Sequence, residues 1–215
     1  MKKRIFITAT NTNIGKTYTT KKLLEAFARR GLAVGVIKPI ETGVIDGYAQ
    51  DGEELLECVK SLNPKLWSLE VEDVVPITYE LPAAPFIASN NAPFDFKKVL
   101  KMLEAMEANC DIVLIEGAGG LYVPIDEKLM MIDLIKMLDA KALLISHCSL
   151  GCINDTILSQ KALETLHVNY LTAFNCKDGD TEFETQSKPY FLHADQKILK
   201  VDDDIDLICE LLYNL

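Results

Sequence analysis

The sequence has no run of 18 or more apolar residues, so no segment reads as a conventional membrane-spanning helix. It has no surplus of basic residues either. Lysine and arginine number 22 against 32 acids, and a formal net charge of −10 argues against a general nucleic-acid binder, which needs a basic footprint. The six cysteines form no C-x-x-C pair and the three histidines are scattered, so zinc-ligand spacing is absent. Cys58, Cys110, Cys148, Cys152, Cys176 and Cys209 are expected to be reduced thiols, mostly in the core. The basic start Met1-Lys2-Lys3-Arg4 precedes an apolar stretch too short and too polar for a signal peptide. There is no internal repeat and no linker-like composition. The expectation is one cytoplasmic domain over residues 1–215, with no membrane and no nucleic-acid partner. Its 49% hydrophobic content is enough for a full core.

What is present is alternation. Near-continuous apolar runs at about 4–9, 33–38, 112–116, 141–146 and 168–174 read as parallel strands buried on both faces. Helical patterns lie at about 16–30, 51–62, 95–109, 130–138, 152–166 and 203–214. In the third of these, Phe96, Val99, Leu100, Leu103 and Met106 share a face and Asp95 is placed to cap it. The order predicts an α/β fold: a single doubly wound, mostly parallel sheet with helices on both faces and right-handed crossovers. The segments 76–93 and 177–197 have no clear assignment, and the first is long enough for a connection to be functional.

Four patches fall at the carboxyl ends of strands, where open α/β sheets bind ligands. The first is Thr12-Asn13-Ile14-Gly15-Lys16-Thr17, between a strand and a helix. That is the context of a phosphate-binding loop: backbone N–H groups face an anion, the lysine neutralises it and the threonine hydroxyl ligates Mg²⁺. Ala9 or Thr10 stands where the full motif has its first glycine. The second patch, Lys38-Pro39-Ile40-Glu41-Thr42-Gly43, ends a buried strand on a lysine. That is costly unless the lysine meets an anion or snorkels to water. The third, Ile112-Val113-Leu114-Ile115-Glu116-Gly117-Ala118-Gly119-Gly120, looks like a Walker B strand ending in an acid that holds Mg²⁺. A tight turn would explain its glycines as well. The fourth, Leu150-Gly151-Cys152-Ile153-Asn154, opens a helix, either as an anion site or only as a helix start. Asp51 is by default the N-cap of the helix 51–62, and alternatively a second carboxylate near Mg²⁺.

In this order and spacing the patches resemble the dethiobiotin synthetases, over roughly residues 1–176. The resemblance implies a homodimeric ligase that uses ATP and Mg²⁺ to close a cyclic urea on 7,8-diaminononanoate with CO₂. It implies that Lys16 cradles the β- and γ-phosphates, helped by Asn13, Ile14, Gly15, Thr17 and Tyr18. Lys38 would stabilise the carbamate and the moving phosphoryl group, and Thr17, Asp51 and Glu116 would hold Mg²⁺. Thr12 and Thr42 would contact carbamate or substrate, with Gly117, Ala118 and Gly119 lining the same space. Gly151, Cys152, Ile153 and Asn154 would receive the substrate carboxylate of the other protomer, and Asn175 would help read the adenine. Two departures stand out. Asn175-Cys176 replaces the family's frequent Asn-Asp, and no proline-containing strand completes the base pocket. Other nucleotides are therefore expected to be accepted beside ATP. Two relatives of the same superfamily are less well matched. Partner-controlled septum-positioning or partition switches carry a second lysine early in the loop, where Thr10 and Asn11 stand here. A corrinoid amidase would need a glutaminase domain for which these 215 residues leave no room. A non-catalytic nucleotide-binding module is the remaining alternative.

Overall fold

The computed structural model describes residues 3–177 and 180–215. Its central sheet has five strands, β1 (Lys3–Ala9), β2 (Val34–Ile37), β5 (Ile112–Gly120), β6 (Lys141–His147) and β7 (Tyr170–Asn175), in the order β2-β5-β1-β6-β7. Every described pairing in it is parallel. Parallel strands covered on both faces must be apolar along their length. Accordingly Ile5, Phe6, Ile7, Val34, Val36 and Ile112 to Ile115 are all essentially inaccessible.

The long helices are α1 (Lys16–Arg29), α2 (Gln50–Leu62), α5 (Phe96–Glu107), α7 (Cys152–Thr165) and α9 (Ile205–Asn214). Shorter ones are α3 (Val71–Val74), α4 (Pro85–Ala88), α6 (Met131–Met137) and α8 (Lys188–His193). Helix α1 packs against both α2 and α9, while α5 lies on β2 and β5 and α7 lies on β6. Right-handed crossovers send α1 to one face and α5, α6 and α7 to the other. The phosphate loop follows β1 and Glu116 stands on the neighbouring β5, so the two lie side by side at the carboxyl edge of the sheet, where open α/β folds bind ligands. Asp95 caps α5 as expected, its carboxylate accepting from Lys98 N at 3.0 Å.

Three features depart from the sequence reading. First, Ile40–Thr42 (β3) and Ile77–Tyr79 (β4) form a separate two-stranded parallel sheet. It pairs residues far apart in sequence, and each run is too short to show periodicity. Second, β5 does not stop at Glu116. It pairs Ile7 with Glu116 but Ala9 with Gly120, so β5 bulges through Gly117–Gly119. A Cβ on Gly117 would lie 2.7 Å from the Phe6 ring, which explains a glycine in an otherwise bulky strand. Third, two cysteines are not free thiols. The in-register pairing of β6 with β7 ends at His147↔Asn175, so the next residues, Cys148 and Cys176, are neighbours with Cα atoms 4.9 Å apart and are joined as a disulfide. Cys58, Cys110, Cys152 and Cys209 stand outside that disulfide, the last three buried. The unassigned segments contain α4 in one case and a π-helical turn (Phe183–Ser187) followed by α8 in the other. Residues 178 and 179, in the second, lie outside the described residues.

Candidate active site

Between β1 and α1 the chain turns through two left-handed residues, Asn13 (φ 61°) and Gly15 (φ 97°). Gly15 has no alternative, because a Cβ there would lie 2.2 Å from Asn175 Nδ2. That amide donates to Ile14 O at 2.8 Å, and Lys177 Nζ donates to Asn13 O at 3.3 Å. The end of β7 therefore pins the outside of the phosphate loop. Ala9, the last residue of β1, is buried and keeps a negative φ, so alanine is accommodated without strain at the start of the loop.

Lys16, the first residue of α1, is 9% exposed and donates to Asn11 O at 3.4 Å. Burial lowers its pKa to about 8, against the opposing pull of Glu116. Lys38, one residue past β2, is also buried. Its ammonium contacts Asp51 Oδ2 in a short ion pair and Glu116 Oε1 at 3.1 Å. Burial pulls the Lys38 pKa down, but Glu116, Asp51 and Glu41 together outweigh it and the net shift is upward. Burial thus makes Lys16 the easier of the two to deprotonate, while its carboxylate neighbours hold Lys38 charged.

Glu116 is the hub. It is inaccessible to solvent, yet it accepts from Thr17 Oγ1 at 2.9 Å, Thr20 Oγ1 at 2.7 Å and Lys38 Nζ at 3.1 Å. A buried carboxylate is tolerable only with such partners. Here they come from α1 and the end of β2, so the phosphate loop and the Lys38 strand meet through one side chain.

Asp51 is not an N-cap. Helix α2 begins at Gln50 after Ala49, and Asp51 turns its carboxylate to Lys38. The capping is done from a distance by Glu41 on β3, which accepts Asp51 N at 3.0 Å and Gly52 N at 2.9 Å. Glu41 was not singled out in the sequence, because its partners lie ten and eleven residues on. The two-stranded sheet that places it left no local signal. Burial raises its pKa, partly offset by Lys38.

Apart from Glu116, which lies buried behind Lys38 and Thr17, these groups open onto one cavity of about 630 Å³, lined by Thr12, Asn13, Gly15, Lys16, Thr17, Tyr18, Lys38, Glu41, Thr42, Asp51, Gly117, Ala118, Gly119 and Asn175. Nearly all the residues singled out from the first three patches are thus brought together. Cys176, Lys177 and Asp202 line the same cavity and were not anticipated. The fourth patch is not among the lining residues. Gly151 and Asn154 are exposed, and Cys152 is buried in a second apolar cluster with Phe174, Phe183 and Phe191. At this helix start the Cys152 side chain is withdrawn from any ligand, while the backbone and the Asn154 side chain face outward. A smaller cavity, about 320 Å³, adjoins the phosphate loop. On its wall Ser149 Oγ lies 2.6 Å from His147 Nδ1, and Asp155 Oδ2 lies 3.1 Å from His147 Nε2. That row is invisible to a search for clustered histidines.

Among the described residues no group of three or more His, Cys, Asp or Glu side chains forms a metal cage. Asp51 and Glu116 nonetheless meet at Lys38, and Thr17 meets Glu116; hydroxyl and carboxylate oxygens are the donors Mg²⁺ prefers.

Comparison with known proteins identifies the family. A family model described as an AAA domain matches residues 3–211. An ATP-dependent dethiobiotin synthetase from a Sulfurovum species is 44% identical over 187 residues, covering 87% of this chain and 89% of that protein. The protein of that name from Helicobacter pylori is 38% identical over 86% of this chain and 87% of its own length. The one from Wolinella succinogenes is 32% identical over 98% of both. Among solved structures, a plasmid partition protein from Borrelia burgdorferi covers 99% of this chain and 96% of its own, with a TM-score of 0.57 at 11% identity, a likeness of fold alone. On sequence identity over most of its length, the chain belongs to the ATP-dependent dethiobiotin synthetase family.

Proposed function

We propose that this chain closes the ureido ring of dethiobiotin from 7,8-diaminononanoate and CO₂, releasing ADP and phosphate. One substrate amine takes up CO₂ as a carbamate. The carbamate oxygen attacks the γ-phosphorus of ATP and ADP leaves, giving a carbamic–phosphoric anhydride. The second amine then attacks the carbonyl carbon and expels phosphate. The observation that carries this reading is Lys38: a buried, charged ammonium between Asp51 and Glu116, in the same cavity as the phosphate loop. A transferring phosphoryl group and a carbamate are both anionic, and positioned cations are what such chemistry needs.

In this reading Lys16 and the loop N–H groups hold the β- and γ-phosphates, and Lys38 orients the carbamate oxygen toward phosphorus. Thr12 and Thr42, on the cavity wall, position carbamate or diamine. Mg²⁺, held by Thr17, Asp51 and Glu116, would supply charge neutralisation at the phosphates. Mg²⁺ keeps waters and phosphate oxygens as ligands, so a few protein oxygens suffice to hold it. The helix start at Gly151–Asn154 receives the substrate carboxylate of a second protomer. Its exposure and its place outside the cavity support that role, as does exposed apolar surface at Leu150 and Leu158. A homodimer and a cytoplasmic location belong to the same reading. Among the described residues no helix is long and apolar enough to cross a membrane.

The test is turnover with the diamine, bicarbonate, Mg²⁺ and each of four nucleoside triphosphates. Phosphate release must depend on the diamine and match cyclic-urea product one to one. Release that ignores the diamine would point to a nucleotide switch instead.

A further inference from the structure

The Cys148–Cys176 disulfide sits where β6 and β7 run out. Their pairing ends at His147↔Asn175, and the bond joins the next residue on each side. Its flanks reach the phosphate loop: Asn175 Nδ2 donates to Ile14 O at 2.8 Å, and Lys177 Nζ donates to Asn13 O at 3.3 Å. The two sulfurs differ in setting. Cys148 is 2% exposed and shares an apolar cluster with Phe174, Phe183 and Phe191. Cys176 is half-buried and lines the main cavity. An external thiolate therefore meets the bond from the Cys176 side. Cys152, the third thiol of the cluster, is buried, and burial raises its pKa, so it is a poor nucleophile for exchange within the cluster.

We propose that Cys148 and Cys176 form a reversible redox switch on the phosphate loop: the disulfide holds the loop in its nucleotide-binding form, and reduction by a dithiol loosens it. This rests on the nucleotide and cytoplasmic readings above, since a disulfide in a reducing compartment is characteristically transient, catalytic or redox-sensing. In the reduction, one thiolate of the dithiol attacks Cys176 Sγ, the S–S bond breaks, and Cys148 leaves as a thiolate and takes up a proton. The second thiol of the reagent, losing its proton, attacks the mixed disulfide and frees Cys176. Two electrons have then passed to the cysteine pair, and the dithiol has become a disulfide. Coupling to the loop follows from space. Bonded sulfurs lie about 2 Å apart, whereas unbonded heavy atoms need roughly 3.5 Å or more. Cys148 is enclosed by aromatic rings, so Cys176 gives way. Asn175 and Lys177, on either side of it, carry that shift to Ile14 and Asn13. The coupling is reciprocal: whatever factor reduction removes from nucleotide affinity, bound nucleotide removes from the tendency to be reduced.

The experiment is calorimetric binding of MgATP, without diamine, to the full chain after treatment with oxidised dithiothreitol and after reduction with dithiothreitol. Alkylation and peptide mass mapping identify the cysteines that change state. The reduced wild type should bind about tenfold more weakly, the effect of losing one or two hydrogen bonds, and reoxidation should restore it. Saturating MgATP should lower the midpoint potential of the pair by the same factor, about 30 mV for two electrons. Cys148→Ser and Cys176→Ser cannot form the bond, so both should bind like the reduced wild type under either condition. A bond that is only structural would lower the unfolding temperature on reduction and leave MgATP affinity unchanged, and that result would overturn the proposal. So would serine variants whose affinity still responds to dithiothreitol, or a Cys148 and Cys176 that remain alkylatable after oxidation. A wild type that binds MgATP in neither state would overturn the nucleotide reading instead.

Discussion

The two ends of the main cavity are built differently. At the Lys38 end, charged groups are buried and partnered: Glu116 is inaccessible and has three donors, and Lys38 has two carboxylates. At the Asp202 end the side chains are half exposed and hold one another at the surface. Buried charges work only in one arrangement, because every lost partner leaves an uncompensated ion. Exposed ones are screened and forgiving. One end can therefore specify a reaction, and the other is suited to tolerate variety in what it holds.

The largest expected effect comes from breaking the buried end. Lys38→Ala should lower kcat by about a thousandfold or more, since a cation aimed at developing charge contributes several kcal/mol. Lys38→Arg should fail as well, because a planar guanidinium does not replace a compact ammonium between two carboxylates. Circular dichroism should show a folded chain in both cases, and wild-type-like kcat in either variant would remove Lys38 from the chemistry. Next in size, Glu116→Gln and Asp51→Asn should raise the Mg²⁺ concentration for half-maximal rate, Glu116→Gln the more because it also loosens Thr17 and Thr20. Magnesium titrations that superpose for Asp51→Asn would reduce Asp51 to a partner of Lys38.

A third test sharpens the contrast through protons. Lys16 in the free protein has a pKa lowered to about 8 by burial. A bound polyphosphate favours the charged form and raises it, so nucleotide binding takes up protons just above pH 8, and affinity falls as pH rises through that value. Calorimetry in buffers of different ionisation enthalpy should show this uptake in the wild type and none in Lys16→Met. The smallest effect belongs to Glu41→Gln, which weakens the remote cap on α2 and should cost roughly 1 kcal/mol in thermal unfolding. A loss beyond 3 kcal/mol would mean that Glu41 is needed for Lys38 charge balance as well.

Legibility in the sequence follows the same division. The strands and long helices were readable because burial on both faces imposes apolar runs and a 3.6-residue period. Gly15-Lys16-Thr17, Lys38 and Glu116 were readable because each sits where a strand ends, and charge there is conspicuous. Glu41, Thr20, Asp202 and the Cys148–Cys176 pair were not. Glu41 depends on β3 pairing with β4 across 37 positions, and Asp202 meets Tyr18 across 184 positions. The glycine run after Glu116 looked like a loop because a bulged strand against Phe6 has the same composition as a turn.

The Glu41 clamp has a consequence for how the chain can lengthen over evolutionary time. Glu41 on one side, with Asp51 and Gly52 on the other, closes a short excursion whose outermost residues, Ile45 to Tyr48, are exposed and meet only each other across a two-point bridge. Extending a loop whose ends are already tied adds little closure entropy. Insertions at 45–48 should therefore leave Asp51 facing Lys38. The same number of residues added between Lys38 and Glu41, where no slack exists, would pull the clamp apart. Length polymorphism in descendants of this gene is expected at the first place and not at the second.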